Sequence, residues 1–180
     1  ACRRRTQSSN VAIEPASVPS SSRPPSTAAW SETSASRPRV ARQSTVMHEL
    51  AHQWFGNAVS PHRWADIWLN EGWATYAEWI WSEDSGGPAA EELARKHHSR
   101  LASLPQDLAL GDPGPVDMFD DRVYKRGALT LHSLRLELGD DRFFALLRRW
   151  ARDHQHGTVT TGAFVDLAEQ TAGRPLTDLF

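Results

Sequence analysis

The sequence predicts a mainly α-helical body at residues 45–180, preceded by a disordered tail at residues 1–44. In the body, apolar residues recur at helical spacing, and turn-forming residues separate the segments. In the tail, Ser, Pro and Arg predominate, whereas Leu, Gly, Asp, Lys, Phe and Tyr are absent. Such a composition buries too little apolar surface to offset the entropy lost on ordering.

Two explanations of the tail stay open. One is an ordinary linker, as its composition suggests. The other is an out-of-frame translation joined to an in-frame body, because the tail shows no periodic pattern and 18 of the 20 basic residues of the chain are Arg. The chain begins at Ala1 rather than at methionine, and its last apolar stripe, which includes Leu179, is cut short. We therefore expect a fragment that is truncated at its C-terminus.

Two helices are predicted in the first half of the body. The first covers about residues 40–56, where Gly56 supplies a stop signal. A loop that contains Pro61 leads to the second helix, at about residues 66–82. This second helix is apolar on nearly every side, which predicts that it is buried.

Four more helices are predicted beyond it. Gly87 and Pro88 mark the start of the third, and Gly139 separates the fourth from the fifth. Gly173 ends the sixth. The predicted ranges of the four are about 88–104, 122–138, 140–150 and 161–172. No strand is expected in the body.

Charge and cysteine content exclude several classes of protein. The formal net charge of −2 gives no basic field that would attract nucleic acid. The single cysteine, Cys2, excludes a disulfide framework and a four-cysteine zinc ribbon. No run approaches the ~18 apolar residues that span a bilayer, so we expect a soluble chain. Localisation and oligomeric state have no signal in the sequence.

The first predicted helix carries the pattern His-Glu-Leu-Ala-His, with His48, Glu49 and His52. Side chains four residues apart lie one above the other on a helix, so both imidazoles can reach one ion at about 2.0–2.1 Å, the usual zinc–nitrogen distance. Glu49 is then placed to meet the fourth ligand of the ion. We assign it as the general base that takes a proton from water and delivers it to the leaving amine.

Glu71 is the candidate for the third protein ligand. It follows His52 after eighteen intervening residues and lies on the buried second helix. A carboxylate on an otherwise apolar helix is costly without a charged partner, and one Zn²⁺ ion is such a partner. Gly72 is expected to let the second helix pack closely against the first.

The stretch VMHELAHQWFGNAVSPHRWADIWLNEGWATYAEWIW resembles the zinc-site segment of the gluzincin aminopeptidases, the family of aminopeptidase N and leukotriene hydrolase. The eighteen-residue gap and the Asn-Glu-Gly triplet fit this family better than the thermolysin proteases, whose gap is longer by one residue. The resemblance covers residues 45–180. It implies the helical lobe of a thermolysin-like zinc metallopeptidase catalytic domain.

The resemblance also implies a role for Tyr124. In this family a tyrosine in a Tyr-x-Lys-Gly-Ala-like stretch donates its hydroxyl to the developing oxyanion, and VYKRGALTL is similar to it. Lys125 and Arg126 stand where the family often has an acidic residue followed by lysine. Thr75, one turn beyond Glu71, is either a hydroxyl that steadies a zinc ligand or a packing residue.

The resemblance implies a zinc aminopeptidase that cleaves N-terminal residues from peptides. The Gly-x-Met-Glu-Asn element by which the family recognises a free amino terminus has no counterpart before Thr45. Exopeptidase specificity therefore rests on the resemblance alone. An endopeptidase or an epoxide hydrolase on the same metal site stays open, and so does an inactive zinc-binding fragment.

Overall fold

The computed structural model describes the backbone of residues 36–180 and the side chains of residues 43–180. Seven α-helices in this range confirm the mainly α-helical prediction. They are α1 (Ser36–Ala51), α2 (Trp68–Asp84), α3 (Ala90–Ala102), α4 (Gly114–Asp117), α5 (Asp121–Leu138), α6 (Asp140–Asp153) and α7 (Thr161–Ala172). The prediction of disorder for the tail lies outside the described residues as far as residue 35. Residues 36–44, at the end of that segment, belong to α1.

Helix α1 ends at Ala51, five residues before the predicted stop at Gly56. The backbone N–H of Gln53 donates to the carbonyl of Leu50 at 3.1 Å, and that of Trp54 donates to the carbonyl of Ala51 at 3.0 Å. These i to i−3 bonds tighten the last turn and end the helix. Because of this tightening, the chain changes direction within a few residues.

Two short strands correct the expectation of an all-helical body. Strand β1 (Val59–Pro61) pairs in parallel with β2 (Gly157–Val159), with Val59 opposite Gly157. Three residues are too few to establish a period-two pattern, so the sequence contained no signal for them. The pairing joins the segment after α1 to the segment before α7.

A buried carboxylate strengthens this connection. Asp66, in a 3₁₀ turn at Trp64–Asp66, accepts hydrogen bonds from the backbone N–H of Thr161 at 2.9 Å and from its hydroxyl at 2.8 Å. The indole N–H of Trp68 donates to the same hydroxyl at 2.9 Å. The start of α2 is therefore fixed to the start of α7.

Helix α2 forms the centre of the core, as its all-round apolar pattern predicted. Its largest buried side chains are each no more than 2% exposed, namely Trp68, Leu69, Trp73, Tyr76 and Trp79. Aromatic rings from other helices pack around them, including Phe143 of α6 and Phe164 of α7. None of the helices within residues 36–180 has the length and hydropathy of a membrane span.

The close contact made by Gly72 is with α5, not with α1 as expected. A Cβ built on Gly72 would lie 2.9 Å from the Cα of Gly127, and a Cβ built on Gly127 would lie 2.8 Å from the Cα of Gly72. Glycine permits this approach because it has no side chain between the two backbones. The contact brings the first turn of α2, with Glu71, beside the first turns of α5, with Tyr124.

Candidate metal centre

His48, His52 and Glu71 come together in the structure. The Nε2 atom of His48 lies 3.3 Å from Oε2 of Glu71, and Nε2 of His52 lies 3.5 Å from the same oxygen. One ligand atom from each residue lies within 4.8 Å of the others. These are the three side chains that the motif and its spacing predicted as metal ligands.

The elements of the fold explain this convergence. His48 lies on the last turn of α1. His52 is the first residue after that helix, and its N–H still donates to the carbonyl of His48 at 3.3 Å. Glu71 lies in the first turn of α2, where the positive end of the helix dipole stabilises a carboxylate. Although α1 ends at Ala51, the hydrogen bond to the carbonyl of His48 keeps His52 one turn after His48, so both imidazoles remain on the same side of the backbone.

The second ring nitrogen of each histidine also has a partner. Nδ1 of His48 lies 2.8 Å from Oε1 of Glu78, whose other oxygen accepts a hydrogen bond from the hydroxyl of Ser44. Nδ1 of His52 lies 2.9 Å from the carbonyl oxygen of Phe55. Both Nε2 atoms therefore face Glu71, and the hydrogen bonds at the two Nδ1 atoms fix the orientation of both rings.

Glu78 is the residue that the sequence reasoning missed. Thr75 was the candidate for steadying a ligand, but its buried hydroxyl has no hydrogen-bond partner among the described residues, which leaves it the packing role. Glu78 follows Glu71 by seven residues, two turns of helix, and so lies on the same face of α2. That spacing was the available signal.

The charges of the cluster shift the pKa values of its members. Burial alone would lower the pKa of His48, but hydrogen bonds and charges from Glu71 and Glu78 raise it to about 9. Burial alone would raise the pKa of Glu71, but hydrogen bonds from His48 and His52 lower it to about 2. The two glutamates thus favour the protonated form of His48, and the two histidines favour the ionised form of Glu71.

Of the two predicted catalytic residues, Tyr124 lies against this cluster, and Glu49 is next to His48 in the chain. The ring of Tyr124 stacks on the ring of His48, with centroids 6.0 Å apart and planes 19° apart. Burial raises the pKa of Tyr124 to about 12, and the negative charges of Glu71 and Glu49 add to the effect. Glu49 is exposed, on α1 next to His48.

The donor set fits a zinc ion. Two imidazole nitrogens and one carboxylate oxygen are the protein ligands of several catalytic zinc sites, in which a fourth position stays open for water or substrate. Glu71 is 8% exposed, and a buried carboxylate of this kind requires cationic partners. Two histidines four residues apart at the end of α1 and a glutamate from α2 match the ligand pattern of zinc metallopeptidases of the gluzincin type.

Comparison with known proteins agrees with this class. Residues 23–180 match the model of the Peptidase family M1 domain. The chain therefore belongs to peptidase family M1, and the resemblance to the gluzincin aminopeptidases is confirmed. Zinc is the cofactor that this family and its solved structures imply.

Relatives and solved structures extend the comparison. A probable aminopeptidase 2 of Sulfurisphaera tokodaii is 30% identical over 165 residues, which cover 82% of this chain and 20% of the relative. Aminopeptidase N of Streptomyces lividans is 31% identical over 147 residues, which cover 75% of this chain and 17% of the relative.

Among solved structures, the M1 zinc metallopeptidase from Deinococcus radiodurans is 40% identical with a TM-score of 0.69. The match covers 73% of this chain and 30% of that one. Leukotriene A4 hydrolase from Saccharomyces cerevisiae is 28% identical with a TM-score of 0.59, over 71% of this chain and 22% of that one. The chain thus spans about a fifth or less of the two curated relatives described above and under a third of both structures.

Proposed function

We propose that this chain is the zinc-binding helical part of an M1 aminopeptidase, in which a zinc-activated water removes N-terminal residues from peptides. The observation that carries the proposal is the cluster of His48, His52 and Glu71, with Glu49 and Tyr124 beside it. Relatives that bear the name aminopeptidase support the exopeptidase assignment. A peptide is the substrate class that a peptidase family implies.

His48, His52 and Glu71 would hold one zinc ion. When bound, zinc polarises the scissile carbonyl and lowers the pKa of a water molecule toward about 7. The two Nε2 atoms and the Oε2 atom already face one another, so these side chains need little rearrangement to hold an ion. The hydrogen bonds at both Nδ1 atoms orient the rings for this task.

Glu49 would act as general base and then as general acid. Its carboxylate is exposed on α1, on the residue next to the ligand His48. An exposed carboxylate can accept a proton from the attacking water and pass it to the leaving amine without a change in the fold. Proton transfer of this kind typically contributes about 10²- to 10⁴-fold to the rate.

Tyr124 would donate a hydrogen bond to the carbonyl oxygen as negative charge develops there. A phenol with a pKa of about 12 keeps its proton at neutral pH and is therefore a donor throughout the reaction. Its stacking on His48 places the ring beside the ligands. A donor fixed in this way costs little reorganisation when the charge appears.

An epoxide hydrolase is the second candidate, because leukotriene A4 hydrolase is among the solved structures that the chain resembles. The two candidates use the same metal site and differ in the substrate. A peptide anilide and an alkyl epoxide, supplied separately to the zinc-loaded chain, distinguish them. Turnover of the epoxide alone would favour the second candidate.

The proposed function is tested by measuring bound zinc and the hydrolysis of aminoacyl anilides with free and blocked amino termini. Wild type should bind one zinc and cleave the free form faster. Glu49→Gln should keep the zinc and lose about 10²- to 10⁴-fold in kcat. Glu169→Gln is the control, since this carboxylate on α7 accepts a hydrogen bond from the backbone N–H of Leu176 at 2.9 Å.

Three outcomes would contradict parts of the proposal. Equal rates on free and blocked substrates would assign an endopeptidase instead. Bound zinc without turnover by wild type would assign an inactive zinc-binding chain. A failure of wild type to bind zinc would remove the metal site itself.

A further inference from the structure

We propose that Glu78 is a positioning residue that fixes the tautomer and the orientation of the zinc ligand His48. The inference rests on the proposed zinc site and adds to it a residue outside the set of three ligands. Oε1 of Glu78 lies 2.8 Å from Nδ1 of His48, on the side of the ring away from Glu71. The carboxylate therefore contacts the ligand without contacting the position of the ion.

The geometry determines which ring nitrogen of His48 carries hydrogen. A neutral imidazole has one N–H and one lone pair, and a carboxylate can only accept a hydrogen bond. Since Glu78 faces Nδ1, the hydrogen of the neutral ring that would hold zinc lies on Nδ1, which leaves the lone pair on Nε2 for the ion. That is the tautomer a metal requires at Nε2.

Glu78 is itself held in place from a second side. The hydroxyl of Ser44, on α1, donates to the other carboxylate oxygen, Oε2. The side chain of Glu78 is only 19% exposed, and the positive charge of Lys125 on α5 acts on it. Contacts from α1 and a charge from α5 thus restrict the carboxylate, so it can transmit an orientation to the ring of His48.

The two histidines of the cluster differ in the acceptor that their Nδ1 atom faces. Nδ1 of His52 faces the neutral carbonyl of Phe55 at 2.9 Å, whereas Nδ1 of His48 faces a carboxylate. A charged acceptor strengthens electron donation by the ring to the metal, and loss of such a partner typically costs about 10- to 100-fold in metal affinity. The loss of Glu78 should therefore weaken zinc binding through His48 alone.

A purely structural role makes a different prediction. Glu78 also links α2 to α1 through its hydrogen bond with Ser44. A hydrogen bond between helices stabilises the folded protein whether or not zinc is present. Ser44→Ala removes that hydrogen bond and leaves the contact between Glu78 and His48. Glu78→Gln can keep both hydrogen bonds, because the amide oxygen accepts from Nδ1 and the amide N–H₂ donates to the hydroxyl of Ser44. It removes only the charge.

The experiment measures the zinc dissociation constant of the full chain by competition with a chromogenic chelator. We expect an increase of about 10- to 100-fold for Glu78→Ala, a smaller increase for Glu78→Gln, and a smaller one again for Ser44→Ala. Glu83→Gln is the matched control on the same helix. Glu83 accepts hydrogen bonds from the backbone N–H of Ala90 and from the guanidinium of Arg135, both at 2.9 Å, so its partners differ from those of Glu78.

A second readout follows the tautomer directly. Nitrogen-15 spectra of the zinc-loaded protein should show the hydrogen of His48 on Nδ1 in wild type, and a changed Nδ1 signal in Glu78→Gln. If Glu78→Ala does not fold, the charge-only variant Glu78→Gln still decides the question.

The inference is overturned if Glu78→Gln and Glu78→Ala both bind zinc as tightly as wild type while wild type binds one ion. It is also overturned if Glu83→Gln weakens zinc binding as much as the Glu78 variants, because the effect would then be a general consequence of altering α2. Absence of zinc binding by wild type would instead overturn the proposed function, and the inference with it.

Discussion

The backbones of Gly72 and Gly127 meet at the crossing of α2 and α5. A Cβ added to either glycine would lie within 2.9 Å of the Cα of the other. Glu71 is adjacent to the first glycine, and Tyr124 lies one turn before the second. This crossing therefore fixes the distance between a candidate metal ligand and a candidate catalytic hydroxyl.

Substitution of Gly127 by alanine should destabilise the protein. The added methyl group would meet backbone atoms, which cannot move aside as a flexible side chain can. Overpacking of this kind costs about 1–3 kcal/mol. The measurement is the free energy of unfolding in urea. Gly162→Ala on α7 is the control, because its added Cβ would meet only the hydroxyl oxygen of Thr160, at 3.8 Å, and should be neutral or stabilising.

The same substitution should reduce kcat by separating Tyr124 from the ligands. If Gly127→Ala has the same free energy of unfolding as wild type, the close contact between Gly72 and Gly127 is contradicted.

Zinc should raise the melting temperature of wild type. A ligand that binds only the folded state stabilises it by RT ln(1 + [L]/Kd), which is about 2.7 kcal/mol at a hundredfold excess over Kd. Glu71→Gln should greatly reduce this shift, since Oε2 of Glu71 is the oxygen that both imidazoles face. The zinc-induced shift in melting temperature is measured by thermal unfolding with zinc and with a chelator. An equal zinc-induced shift in Glu71→Gln would remove Glu71 from the ligand set.

Tyr124→Phe should lower kcat by about 10²- to 10³-fold, as expected for the loss of one oxyanion donor. Zinc content and KM should change little, because the phenol would act on charge that develops only during the reaction. Tyr76→Phe is the control, since it removes the hydroxyl of the other tyrosine, which lies 3.1 Å from Nδ1 of His132 in the core. That variant should lose stability and keep its kcat when folded.

The stability of the metal-free protein should fall as pH rises from about 6.5 to about 9. Glu71 and Glu78 raise the pKa of His48 to about 9 in the folded protein, above its ordinary value of 6.5. The resulting stabilisation is fully present below 6.5 and is lost as pH rises through 9. Urea unfolding in the presence of a chelator measures this dependence.

Zinc affinity should show the opposite trend over the same range, because the proton and the ion compete for the same ring. His48→Gln should lack the pH dependence of stability that His48 contributes. The same slope in that variant would assign the effect to another group.

Local spacing predicted much of the fold and of the candidate site. The range of α7 matches the expected one, and α5 begins one residue before its expected start. The four-residue spacing of His48 and His52 and the eighteen-residue gap to Glu71 located the cluster. These features depend on helical periodicity, which can be read from a single sequence.

Long-range contacts were less accessible. The prediction that α1 packs closely on Gly72 was wrong. A glycine in a helix indicates a close approach of another backbone, but it does not indicate which helix approaches. The end of α1 was placed too late, because i to i−3 hydrogen bonds at Gln53 and Trp54 end the helix before Gly56. Glu78 was missed because its role depends on where the ring of His48 points, which is a property of the packed helices.

Helix α2 carries Glu71 and Glu78 on the same rod of backbone as the buried rings of Trp73 and Tyr76. Capture of the ion and consolidation of the hydrophobic interior are therefore thermodynamically linked. A substitution that loosens either indole or phenol packing would also weaken metal retention, and loss of the metal would increase hydrogen exchange along α2.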